Sequence, residues 1–289
     1  MKPSTFPLKV KGWREAPVEA HCSAAAKAYQ FRNPRLSREP VSMDRQSRFS
    51  YLCNKCGRCC HHQVITLSPY DVIRLARAAC ISTGEAVARY TIRRGSLLKF
   101  NQNGSCIALN GTTCAIHAGR PLACRLYPLG FEHNSDSAER YLLLEPAAGS
   151  EGIYGDGQTV HDFLLAQDTE RHLEMNRRYA TLLGAFQRRI AELADFDIIE
   201  PREFCRIARR EALAETNFDF NPIIEALFDP DSLGCEADCA IDYTEQHLER
   251  VTERIRGQQD PNVLAAAAVI LAVSLGYSPA EVMTGLARS

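Results

Sequence analysis

"CNKCGRCCHH", Cys53–His62, places four cysteines and two histidines within ten positions, the last two cysteines side by side. Four thiols this close need a common partner, and the reading of that partner decides how the rest of the chain folds. The spacing is C-x2-C-x2-C-C, followed after 45 residues by C-x7-C-x9-C. An x2 interval lets two thiolates converge across a tight turn, and Gly57 inside "CGRC" eases that turn. Of 12 cysteines, eight fall between Cys53 and Cys124, while Cys22, Cys205, Cys235 and Cys239 are scattered elsewhere.

The compartment decides what such thiols do. The first twenty residues hold no apolar stretch, so no secretory signal is expected and the protein is assigned to the cytoplasm. Thiols stay reduced there, which favours metal or redox chemistry over disulfides. The longest apolar run, "VLAAAAVILAVSLGY" (Val263–Tyr277), has 15 residues. That is short of the ~20 a membrane span needs, and the run reads as a buried helix. With 34 basic and 35 acidic residues the net charge is −1, which gives no push toward nucleic acid or acidic membranes.

Seven thiols form the candidate metal site: Cys53, Cys56, Cys59, Cys60, Cys106, Cys114 and Cys124. Side chains of neighbours in an extended segment point to opposite sides, so Cys59 and Cys60 are expected to reach two metals or two corners of a cluster. An iron–sulfur cube ([4Fe-4S]) uses four thiolates. Two zincs sharing a bridging thiolate use seven, and two separate zincs use eight, with His61, His62 or His117 as the last. Lys55, Arg58, Arg120 and Arg125 lie close by, where cations would lower thiol pKa values and offset thiolate charge.

Around the cysteines, residues 1–50 are rich in Pro, Arg and Ser and read as an N-terminal arm. "HHQVITL" reads as a strand. Ser68 with Pro69 and Asp71, and Ser82 with Glu85, mark two helix starts that make a helical hairpin, with Cys80 at its turn as a structural thiol. "RPLAC" reads as a helical turn, "YLLLE" as a strand, and "GSEGIYGDGQ" as a loop leading to a helix capped near Gln158 or Thr159. Glycines 149, 152, 155 and 157 with Asp156, His161 and Asp162 could instead form a polar lid; the solvent loop is the preferred reading. Helices are expected over 170–193, 201–212, 243–257 and 261–275, and another from "SPAEV" at Ser278. The expected fold is mostly α-helical: a loop-rich cysteine-knot metal-binding core with a few short strands over 51–195, then a helical C-terminal region over 196–289.

"CNKCGRCC", "CIALNGTTCAIHAGRPLACRLYPLGF" and "YGDGQTVHDFLLAQ" resemble the bacterial YkgJ-type cysteine-cluster family of zinc- or iron-chelating proteins. The resemblance spans about residues 50–185. It implies that the seven cysteines are the family's own, and that Arg120, Pro121, Arg125 and Pro128 match its "RP…CR..P" pattern, to which Cys80 does not belong. The cysteine pattern is also similar to that of flagellin lysine N-methylases. The function expected is therefore metal binding, by an iron–sulfur cluster or zinc. The alternatives are a protein-modifying lysine methyltransferase, which would use SAM, and a structural zinc module for a protein partner. No G-x4-G-K-[ST], H-E-x-x-H, G-x-S-x-G or G-x-G-x-x-G motif adds another chemistry. Only the first three cysteines fit the ferredoxin run.

Overall fold

The computed structural model describes residues 41–133, 138–193, 226–228 and 244–277. Strands β1 (Val41–Met43) and β2 (Arg48–Leu52) come first, so the end of the segment read as an arm is strand. A 3-10 turn at Arg58–Cys60 leads to helices α1 (Pro69–Ala79) and α2 (Thr83–Tyr90). Two small hairpins follow, β3 (Thr91–Ile92) with β4 (Leu97–Leu98), and β5 (Leu109–Asn110) with β6 (Thr113–Cys114). Then come α3 (Leu122–Leu126), β7 (Leu129–His133), β8 (Glu139–Leu143) and β9 (Ile153–Thr159). Helices α4 (Val160–Ala166), α5 (Glu170–Glu192), α6 (Thr244–Gly257) and α7 (Pro261–Ser274) complete the described chain.

Local chemistry accounts for the helix starts. Asp71 N–H donates to Ser68 Oγ at 3.2 Å, and Ser68 N–H donates back to the Asp71 carboxylate at 2.8 Å. Ser82 with Glu85 and Thr159 with Asp162 repeat this reciprocal cap, and Pro69 and Pro261 sit where their missing N–H costs nothing. Asp162 is thus spent on a cap and is not part of a lid. Helix α1 stops at Cys80, which is left-handed at φ 53°.

The strands make four separate sheets, two of them the small hairpins. β1, β8 and β7 form an antiparallel sheet in that order, and β2 pairs with β9. β9 replaces the expected loop, with Tyr51 opposite Tyr154 and Leu52 opposite Ile153. Gly152, just before the strand, marks a close approach: a Cβ there would lie 2.3 Å from the Tyr51 ring. "HHQVITL" forms no strand. It makes single bridges at His61 and Thr66, because His62, at φ 55°, breaks the extended run.

Two apolar clusters hold the elements together. The larger packs α1, α2, α5, α6 and α7 through Leu75, Tyr179, Phe186, Val251, Leu264 and Leu271, with Cys106 buried in it and Cys60 and Cys114 at its margin. Helix α7 is buried on nearly every side, as its uniformly apolar sequence requires. Among the described residues, no helix is long and apolar enough to cross a membrane. The smaller cluster joins Phe49, Leu122, Leu126, Leu129, Tyr141 and Phe163. The helix expected over 201–212, the start at Ser278, and Cys22, Cys205, Cys235 and Cys239 lie outside the described residues.

Candidate metal centre

The chain leaves β2 at Leu52 and turns at once. Lys55 and Gly57 are both left-handed, at φ 55° and 73°. Lys55 N–H points back to Cys53 Sγ at 3.4 Å, an electropositive partner for that sulfur. Cys60 N–H donates to Gly57 O at 3.0 Å and closes the 3-10 turn that carries Cys59 and Cys60. The pair therefore does not lie in an extended segment, and the two thiols bear on each other. The extended backbone from which two metals or two cluster corners were expected is replaced here by a 3-10 turn.

Three more segments bring in the later cysteines. Cys106 N–H donates to Cys60 O at 2.8 Å, beside the His61–Ser105 bridge, so the two halves of the motif are stitched by backbone. Cys114 lies opposite Leu109 in the β5–β6 hairpin, and Leu109 N–H returns to Cys106 O at 3.0 Å. Cys124 rides on α3, a short helix held by two buried charges. Asp71 Oδ1 accepts from Leu122 N–H at 2.9 Å. The Arg125 guanidinium, 4% exposed, donates to the carbonyls of Arg120 (3.1 Å), Gln167 (2.8 Å) and Ala118 (2.6 Å).

Electrostatics ties the sulfurs into one neighbourhood. Cys60 holds Cys59 down to about 7, and Cys60 is pushed up in return, with burial and charges on Cys59, Cys124 and Cys106 adding to the rise. Burial raises Cys106, Cys114 and Cys124 first, and each is raised further by charge on other thiols of the set. Arg120 pulls Cys114 down, but desolvation outweighs it, so the expected lowering by nearby cations is not the net result. Arg120 in turn senses charge on Cys124, Cys114 and Cys53. Cys56 joins through Tyr127, which also senses Cys59. Cys80 stands apart, exposed at the α1–α2 turn.

Three tyrosines border the sulfurs and were not picked out from the sequence. Tyr51 lies 6.1 Å from Tyr127 and 5.0 Å from Tyr154, ring centre to ring centre, and all three respond to charge on Cys59. Position beside Cys53 and Cys124 was the one available signal. Burial and then Arg120, whose Nη1 lies 3.1 Å from its Nδ1, pull the proton affinity of His117 below the ordinary value. His61 Nδ1 is engaged with Gly57 O at 3.0 Å.

Among the described residues, no three His, Cys, Asp or Glu side chains stand at coordinating spacing. The fit to a metal lies in the chemistry of the donor set: soft thiols, partly desolvated, each made harder to ionise by the next. A soft cation relieves both penalties at once, displacing the protons and cancelling the repulsion. No curated protein and no solved structure matches the chain. Residues 52–141, the stretch carrying all seven thiols, match the family model CxxCxxCC, described as a "Putative zinc- or iron-chelating domain".

Proposed function

We propose that the protein binds zinc or iron through Cys53, Cys56, Cys59, Cys60, Cys106, Cys114 and Cys124, and that the centre is polynuclear. The observation that carries this reading is the mutual influence of Cys59, Cys60, Cys106, Cys114 and Cys124, five thiols in one desolvated neighbourhood. A single tetrahedral zinc and an iron–sulfur cube each take four thiolates, so a fifth in the set favours a zinc pair sharing a sulfur, or a cube with a further thiol beside it. When bound, the metal supplies the positive charge that keeps buried thiols ionised. The protein's part is to hold α3 and the Arg58–Cys60 turn against each other.

The test is elemental analysis of the full chain purified without air, with an absorbance spectrum. Two or more zincs per chain, or iron with matching sulfide and a visible charge-transfer band, agree with the proposal. One zinc per chain removes the polynuclear reading, and neither metal removes the function. No observation favours the methyltransferase or the interaction module.

A further inference from the structure

A sulfur serves a metal well only when the element that carries it is held in place from behind. Cys124 sits on α3, a helix of five residues, too short to hold itself. Its N-cap is Pro121, which supplies no side-chain hydrogen bond to the first turn. Cys124 N–H and Arg125 N–H both turn back to Pro121 O at 3.0 Å. The N–H of buried Leu122, at the first helical position, needs a partner from elsewhere.

That partner is Asp71, 51 residues earlier on α1, whose Oδ1 accepts from Leu122 N–H at 2.9 Å. Its Oδ2 accepts from Ser68 N–H and Ser68 Oγ–H, each at 2.8 Å, and so closes the cap of α1. The side chain is buried, where water does not compete for these bonds. The joint is tight at a second point: a Cβ on Gly119, just before α3, would lie 2.1 Å from Arg74 O on α1. One carboxylate thus fixes the starts of two helices, with a separate oxygen for each. Only an ionised carboxylate accepts on both sides; an amide has one acceptor oxygen and turns its NH2 toward the donors on the other.

We propose that Asp71 is a positioning residue of the sulfur centre: by holding Leu122 N–H it fixes α3 against α1, and so places Cys124 where it meets the metal. The inference rests on the metal-binding reading. It adds to the cysteine motif a buried carboxylate that acts through Cys124, two positions along α3 from the N–H it accepts.

Zinc affinity of the full chain is measured at one fixed pH against a chromophoric chelator. The alkylation rate of each cysteine is followed by mass spectrometry, with and without zinc. Asp71→Asn weakens zinc binding about 10-fold, in line with other groups that support a metal's ligands. It also speeds alkylation of Cys124 in the metal-free and the loaded chain, while Cys106 keeps the parent rate. Ser68→Ala weakens the α1 cap and lowers metal-free melting, but leaves the Oδ1 bond, so zinc affinity and Cys124 alkylation stay at parent values. Cys124→Ser alone and combined with Asp71→Asn bind zinc equally weakly, because Asp71 then has no ligand to place. Where Asp71→Asn does not fold, Leu122→Pro set against Leu122→Ala removes the N–H itself at a helix position that tolerates proline, and only the proline variant loses affinity and Cys124 protection. Parent-like zinc binding and Cys124 alkylation in Asp71→Asn overturn the proposal, as does equal behaviour of the Leu122 pair. So does a further loss in the double variant, or an equal effect of Ser68→Ala, either of which makes Asp71 a general strut. A parent chain that takes up neither zinc nor iron overturns the metal reading and this inference with it.

Discussion

Cys59 and Cys60 show how one residue changes the reading of its neighbours. The left-handed Gly57 closes a turn in which the two thiols bear on each other. Serine at either position can still take part in a hydrogen bond but is a poor soft ligand. Cys59→Ser and Cys60→Ser are therefore expected to fold as metal-free chains while losing zinc or iron, measured by metal content beside a melting curve. Full metal retention in both contradicts their assignment as ligands. Cys80→Ser keeps the metal. Cys80→Gly is expected to stabilise the chain by about 1 kcal/mol, because a Cβ is disfavoured in the left-handed cap that ends α1. The turn at Gly57 was legible from sequence, since glycine between close cysteines has few other uses. The direction of the Cys59 side chain was not, because it follows from a 3-10 turn that the Cys60–Cys106 backbone bond helps to hold.

At the scale of elements, legibility followed contact range. Each reciprocal cap spans three residues, so the starts of α1 and α2 could be read locally. β9 could not, because its partner β2 lies about 100 residues earlier and the glycines in and before it read as loop. The same limit hid the second use of Asp71, which caps α1 and also holds the first turn of α3. Beside it, His172 of α5 is 2% exposed, with its Nε2 3.8 Å from Asp71 Oδ1 and neither ring nitrogen hydrogen-bonded among the described residues. Burial pulls its proton affinity below the ordinary 6.5; Arg125 and Arg74 act in the same direction, and Asp71 and Asp168 oppose. The folded chain then binds this proton less readily than the unfolded chain. Its stabilising contribution is present above about pH 6.5 and is lost as pH falls through the depressed folded value. The melting temperature of the metal-free protein is expected to drop between pH 7.5 and 5.5, and His172→Gln to reduce that slope. His117, also held down, keeps part of the slope in place. An unchanged slope in His172→Gln would assign the effect to other groups.

For the molecule as a whole, the domain that holds the seven cysteines was legible because thiol spacing carries chemistry directly, and the family match covers the same stretch. What the spacing could not convey is that the set is assembled from both apolar clusters. Cys106 is buried in the larger one with Cys60 and Cys114 at its margin, whereas Cys124 lies in sequence between Leu122 and Leu126 of the smaller. A cation held by sulfurs from both sides joins the clusters, so its binding energy is also folding energy. At a thousandfold excess over Kd, a metal specific to the folded chain adds about 4 kcal/mol. The loaded protein is expected to melt well above the chelator-treated one. Hydrogen exchange should show where: amides of the Arg58–Cys60 turn, the β5–β6 hairpin and α3 gain protection together on loading, while those of α7, already buried in the larger cluster, change little. Gain confined to one of the three segments would mean that the metal sits within one cluster and does not bridge the two.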